Sequence, residues 1–144
     1  MKVPPSVLVA NLGILCVLLL SSGAALADER SEKSAVTAAE AWLALVDQEK
    51  YSESWDEAAQ YFQGAIARAK WGDTLRAVRV PLGKLVSRKL KSKQYTETLP
   101  GAPDGKYVVI EYETSFGNKK SAIETVVPMA DPDGTWRVSG YFIK

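Results

Sequence analysis

The stretch KYVVIEYETSFGNKKSAIETVVPM, residues Lys106–Met129, decides the fold. Two runs rich in β-branched and aromatic residues flank Gly117-Asn118, and apolar and polar side chains alternate with a period of two on either side. Asn and Gly tolerate the backbone of a two-residue turn, so the stretch predicts a tight antiparallel hairpin. Upstream, residues 85–98 read as a further strand, separated by the loop Pro100-Gly101-Ala102-Pro103-Asp104-Gly105. Downstream, Asp131-Pro132-Asp133-Gly134 is a turn leading to a strand over 135–143. With the hairpin strands at 106–116 and 119–129, short turns make all four neighbours, which predicts a four-stranded antiparallel meander.

Before residue 84 the period is helical. Ala35, Ala39, Trp42 and Val46 recur at spacings of three and four, with Ala38 and Leu45 beside them. Ser54-Trp55-Asp56-Glu57 has the form of a capping box and predicts one helix from about 55 to 70, with the stripe Trp55, Ala58, Phe62, Ile66 and Ala69. Gly72 is expected to interrupt it and Asp73 to cap a further stretch; Pro81 and Gly83 end the helical region. The fold class is therefore α+β: N-terminal helices packed on a curved four-stranded antiparallel meander.

The extreme N-terminus reads as a cleaved secretory signal. Lys2 supplies the charge, Leu12–Leu20 the apolar run, and Ala25-Leu26-Ala27 the small-residue cleavage site, with the cut expected between Ala27 and Asp28. The run is interrupted by Asn11 and Gly13 and falls short of the ~20 apolar residues that span a bilayer. Cys16 lacks the small preceding residue that lipid attachment needs. The expected organisation is a signal over 1–27, a flexible lead-in over 28–34 and one α+β domain over 35–144, located in the periplasm or secreted, with no stable membrane insertion after cleavage.

Composition excludes much chemistry. The 144 residues contain no His, and the single Cys lies in the signal, which removes His-based triads, Cys nucleophiles, mature disulfides and most transition-metal sites. Basic and acidic residues number 18 and 17, a formal net charge of +1, so nothing points to nucleic acid as a partner. Asp131-x-Asp133-Gly134 lacks the third acidic position and closing Glu of a calcium loop, and turn chemistry accounts for it. Ser87 and Ser92 stand among Lys84–Lys93, but alternating lysines on a strand mark a solvated or edge-protecting face. No cofactor is expected.

The alternation sorts the sheet into two faces. Lys89, Lys91, Lys93, Glu111, Glu113, Glu124 and Arg137 form an expected outer set, with opposite charges on adjacent strands. Arg88, Leu90, Val108, Ile110, Tyr112, Phe116, Ile123, Thr125, Val127, Trp136, Val138 and Phe142 form the expected helix-facing set, which holds no carboxylate. Trp42, Trp55, Trp71 and Trp136 read as core.

Several words recur together: Tyr51-x3-Trp55, Trp71-x3-Leu75-x3-Arg79-x-Pro81-Leu82-Gly83-x4-Arg88, Leu99-Pro100-Gly101-Ala102-Pro103-Asp104-Gly105-x-Tyr107 and Trp136-Arg137-Val138-x-Gly140-Tyr141. On these the chain resembles the exported bacterial proteins grouped as domain of unknown function 4019. The resemblance implies a periplasmic location and supplies no catalytic residues. The order of helices and meander also looks like the cone-shaped fold of nuclear transport factor two and ketosteroid isomerase, a likeness of topology that carries no function. An isomerase of that fold needs a carboxylate base facing the helices, which the expected inner set does not provide.

Two functional classes follow. The favoured one is a non-catalytic exported domain that binds a partner protein or a second copy of itself through the charged sheet face. The alternative is a small-ligand binder, or an enzyme, with a pocket between sheet and helices. Arg79 and Arg88 flank the Pro81-Leu82-Gly83 turn and, with Tyr112 and Trp136, are the candidate ligand-pocket residues. A packed interior separates the first class from the second.

Overall fold

The computed structural model describes residues 12–144, with side chains from residue 23 onward. Two units are distinguished, Met1–Arg30 and Ser31–Lys144. The described part of the first unit, from Leu12, is helical, and it belongs to helix α1 (Leu12–Asp47). Asp28–Ser34, expected as a flexible lead-in, is helical in the structure. Most residues of this stretch are good helix formers, and neither Pro nor Gly interrupts it. The n-region of the expected signal lies outside the described residues. Among those residues no helix is long and apolar enough to cross a membrane.

In the second unit, α1 is followed by α2 (Tyr51–Asp56), α3 (Gln60–Ala65), α4 (Arg68–Arg79) and a 3-10 turn at Val80–Leu82. Four strands then follow: β1 (Leu85–Thr96), β2 (Tyr107–Phe116), β3 (Lys119–Ala130) and β4 (Trp136–Ile143). All neighbours are antiparallel, in the order β1-β2-β3-β4. The α+β class and the meander expected from the sequence are what the structure contains.

The α1 stripe is the core-forming edge. Ala35, Ala39, Trp42 and Val46 are buried, as is Leu43, which the stripe omits. Trp42 packs edge-on to Tyr141 of β4 at 5.2 Å and lies 6.3 Å from Trp71 of α4, which Phe62 of α3 meets edge-on at 4.7 Å. Each such aromatic pair adds about 0.5–1.5 kcal/mol beyond the area it buries.

The helix expected over 55–70 is instead three segments. Ala59 and Ala67 are extended, and the Ala59 N–H donates to the Val138 carbonyl of β4 at 2.8 Å, a bond to the sheet that replaces helix continuation. The capping box does not form. Ser54 lies inside α2, fully buried; its Oγ donates to the Tyr51 carbonyl and accepts the Trp71 indole N–H at 3.0 Å, while its own carbonyl accepts the Trp42 indole N–H at 2.8 Å. The need of two buried indoles for acceptors outweighs the cap. Gly72 does not interrupt and Asp73 does not cap: both lie within α4, where Gly72 leaves room for Ser52, whose Oγ would stand 3.2 Å from an added Cβ. The helical region ends where expected, at Gly83, with φ 78°.

The long β1–β2 loop is pinned from inside. Buried Tyr107 donates to the Pro103 carbonyl at 2.6 Å, and the Gly105 N–H reaches the Glu97 carbonyl at 3.1 Å.

Three bulges reassign the sheet faces. In β1 Lys91 is an extra residue, and Lys93 therefore stands opposite Ile110. The hairpin begins with Phe116 opposite Lys119, but Thr114 stands opposite Ala122, so β3 holds one extra residue beside the turn. A one-residue shift moves every following side chain to the other face. Glu124 and Val126 therefore point toward the helices beside Tyr112 and Ile110, and Ile123 and Thr125 point outward. In β4, Val127 pairs with Gly140 but Pro128 with Val138, so Ser139 is the extra residue. Val138 and Tyr141 consequently both face the helices, and Phe142 is turned out, 64% exposed. Several expectations are corrected: Glu124 is not on the outward side, nor is Lys93, which stands opposite Ile110; Ile123, Thr125, Val127 and Phe142 are not on the helix-facing side; and the inner face does hold a carboxylate. Nor does Glu124 face Arg137; its β4 partner is Ile143.

Candidate functional site

The inner carboxylate organises the most polar part of the interior. Asp47 closes α1, Arg79 closes α4, Arg88 lies on β1 opposite Thr114, and Glu124 lies on β3 opposite Tyr112. Arg88 spans the width of β2. Its Nε donates to Glu124 Oε1 at 2.7 Å and its Nη2 to Oε2 at 3.3 Å. Toward α1, Nη1 and Nη2 donate to the two Asp47 oxygens at 2.7 and 3.0 Å. Arg79 Nη2 adds a third bond to Asp47 at 3.0 Å, and its guanidinium lies 4.8 Å from the Phe116 ring centre. Thr114 Oγ1 donates to Glu124 Oε1 at 2.6 Å, and the Tyr141 hydroxyl donates to Oε2.

Two guanidiniums meet two carboxylates, so the cluster carries no net charge. Burial pushes the Asp47 carboxyl upward, but the hydrogen bonds and charges of Arg88 and then Arg79 outweigh it and hold it below the ordinary carboxylate value. Burial drives Tyr112 up to about 12, helped by the charge of Glu40. Tyr141 is raised as well, by burial first and then by Glu124. Arg79 Nε and Nη1 and the Tyr112 hydroxyl are buried without a partner.

The chemistry open to this arrangement is narrow. Glu124 is fully buried, and its two oxygens accept from Arg88, Thr114 and Tyr141. A general base needs a lone pair that substrate can reach. Four of the five Arg88 N–H groups already donate to Asp47 or Glu124, which leaves one Nη1 hydrogen for any other acceptor. The cluster ties α1 and α4 to β1, β3 and β4. No group of three or more metal-ligating side chains occurs among the described residues.

Of the four candidate pocket residues, the structure brings Arg79, Arg88 and Tyr112 to this cluster. Trp136 is elsewhere. It is half-buried at the start of β4 and lines a groove of about 440 Å³ with Ala38, Ala41, Trp42, Leu45 and Glu57. A second cleft of about 430 Å³ opens beside Asp47 and Arg79 and is lined by Tyr51, Val80, Lys84 and Leu85. Neither is lined by Tyr112, Arg88 and Trp136 together; Trp42, Trp71 and Tyr141 pack into one core.

Asp47, Thr114, Glu124 and Tyr141 are the participants the sequence reading misses. For Asp47 a signal existed: it follows Val46 at the end of the buried stripe, one position from the core.

The turn aspartates are structural. Asp131, buried, accepts from the Gln60 N–H at the start of α3 at 3.3 Å and from Arg137 Nη1 at 2.9 Å. Asp133 accepts both terminal nitrogens of Arg137 and the Thr135 N–H; those bonds, that of Arg137 foremost, lower its carboxyl to about 2.

No curated protein and no solved structure matches the chain. One family, described as a protein of unknown function (DUF4019), matches residues 38–141, a span that holds the meander up to Tyr141 of β4 and the four residues of the ion cluster. The chain belongs to the DUF4019 family.

Proposed function

We propose that this chain is an exported, non-catalytic domain that associates with a second copy of itself through the outer face of its sheet. The observation that carries the reading is the interior: beneath the surface groove at α1 and β4, helices and sheet are joined by packed aromatics and a self-neutralising ion cluster in which every carboxylate oxygen accepts at least one hydrogen bond. Function then falls to the surface. On the outer face Lys89 stands opposite Glu113, Lys91 lies 4.0 Å from Glu111, Glu111 stands opposite Thr125, and Thr125 opposite Phe142. From β1 to β4 the face thus reads cation, anion, neutral, aromatic. A patch with both signs in adjacent rows is self-complementary, because a two-fold operation can lay the lysine row of one copy over the glutamate row of the other. Phe142 lies against Gly140 and Val127 and supplies exposed apolar area that association would cover. Helices followed by an antiparallel meander support the cone-shaped, nuclear transport factor two-like reading of the fold.

Native mass spectrometry of the protein isolated from producing cells tests the reading. It should report a dimer beginning at Asp28. A monomer at micromolar concentration would contradict it.

A further inference from the structure

The groove between α1 and β4 has a composition that the ion cluster and the outer face do not share. Two indoles, Trp42 and Trp136, line it with Leu45, and Ala38 and Ala41 hold its α1 side open because neither carries a side chain beyond Cβ. Its volume, about 440 Å³, falls within the range of small-molecule sites. Two charged residues stand at its edge. Arg137 is already bonded to Asp131 and Asp133, so its charge is more than compensated. Glu57 is exposed and makes no ion pair among the described residues. The groove therefore presents the partly exposed Trp136 indole, backed by the buried Trp42, beside an uncompensated carboxylate.

From this juxtaposition we infer that the groove binds a small organic cation, an ammonium carried on a compact apolar body. Indole is the strongest of the aromatic partners for a cation, through the negative potential of its ring face. An apolar body displaces water from Trp136, Leu45 and the two alanines, and the ammonium is then stabilised by the Trp136 indole and by Glu57. An anionic ligand of the same shape would bring like charge toward Glu57. A neutral one would gain the apolar contact alone. Of the lining residues only Arg137 lies on the outward side of the sheet, and none is among the lysines, glutamates and Phe142 on which the dimer rests, so the site stands or falls apart from the dimer.

Three compounds with one body and three charges test it: phenethylamine, 2-phenylethanol and phenylacetate. The indole N–H signals of the four tryptophans are followed by NMR in the full chain. Phenethylamine should shift the Trp136 signal saturably and bind about fivefold more tightly than 2-phenylethanol, with phenylacetate weakest. Glu57→Gln should weaken binding of the amine and narrow its margin over the alcohol, leaving the part that the indole supplies. Ala41→Phe fills the groove from an exposed position, so it should abolish the shift for all three while leaving the denaturation midpoint unchanged. Equal binding of amine and alcohol, unchanged amine affinity in Glu57→Gln, or no movement of the Trp136 signal with any compound would overturn the inference.

Discussion

Arg88 and Glu124 are bonded across an intervening strand: the guanidinium on β1 reaches over Thr114 of β2 to the carboxylate on β3, Nε to Oε1 at 2.7 Å. The reach is possible only because the extra residue beside the Gly117-Asn118 turn rotates Glu124 inward. With the other half of its fork on Asp47, Arg88 joins two carboxylates that would otherwise repel each other in a dry interior.

Removing that cation should be far more damaging than its single position suggests. Arg88→Met leaves Asp47 with Arg79 alone and Glu124 with hydroxyl donors alone, and breaking a buried pair from one side costs about 3–5 kcal/mol. Urea denaturation should show a large fall in midpoint. Adding Glu124→Gln to Arg88→Met should recover part of the loss, since the uncompensated buried charge is then gone; a double variant less stable than the single one would contradict this.

The cluster also sets an acid limit. Asp47 titrates below its unfolded value of about 4, so the unfolded chain binds more protons than the folded one in that window. The stabilisation is complete above pH 4 and is lost as pH falls through the folded value. Asp133, lowered to about 2, contributes with the same sign, weakened by its exposure to solvent. The urea midpoint should therefore decline below pH 4, and the decline should be shallower in Asp47→Asn.

Much of this fold is written in local chemistry. Gly117-Asn118, Asp133-Gly134 and the Pro81-Gly83 stop are each read by the backbone within a few residues, and the strands, their order and the end of the helices follow. The faces of β3 were not legible for a physical reason. Ala122, Val126 and Pro128 make one apolar parity and Ile123, Thr125 and Val127 make the other, so alternation does not choose between them. Opposite charges on neighbouring strands argued for Glu124 outside; a single bulged residue decided otherwise. The same lack of long-range information hid the break at Ala59, where the N–H bonds to β4.

Ser54 and Glu57 separate a capping box from a buried hub. Ser54→Ala removes the acceptor of the Trp71 indole and should cost about 1–3 kcal/mol. Glu57→Gln, on the exposed side of the same segment, should stay within about 0.5 kcal/mol of wild type. Thermal melts of the two variants check this, and the reverse order would restore the capping box.

Arg137 makes a comparable test at the other end of the sheet. An outward charged residue is ordinarily dispensable, but Arg137→Ala would leave the Asp131 side chain, 2% exposed, without its cation, at a cost of about 1–3 kcal/mol. A denaturation midpoint equal to wild type would show that the Gln60 N–H alone satisfies Asp131.

Association through the outer face is the claim on which the functional account rests, and sedimentation velocity tests it most directly. Wild type and Phe142→Asp are compared over a concentration series from about 1 to 100 μM, a range that brackets the micromolar affinity of a modest interface. Phe142 is exposed and on the far side of β4 from the core, so its replacement leaves the fold in place. The account predicts a wild-type boundary that moves to the dimer position as concentration rises, and a variant that stays monomeric throughout. A wild type that remains monomeric at 100 μM, or a variant that dimerises as well as wild type, would contradict it.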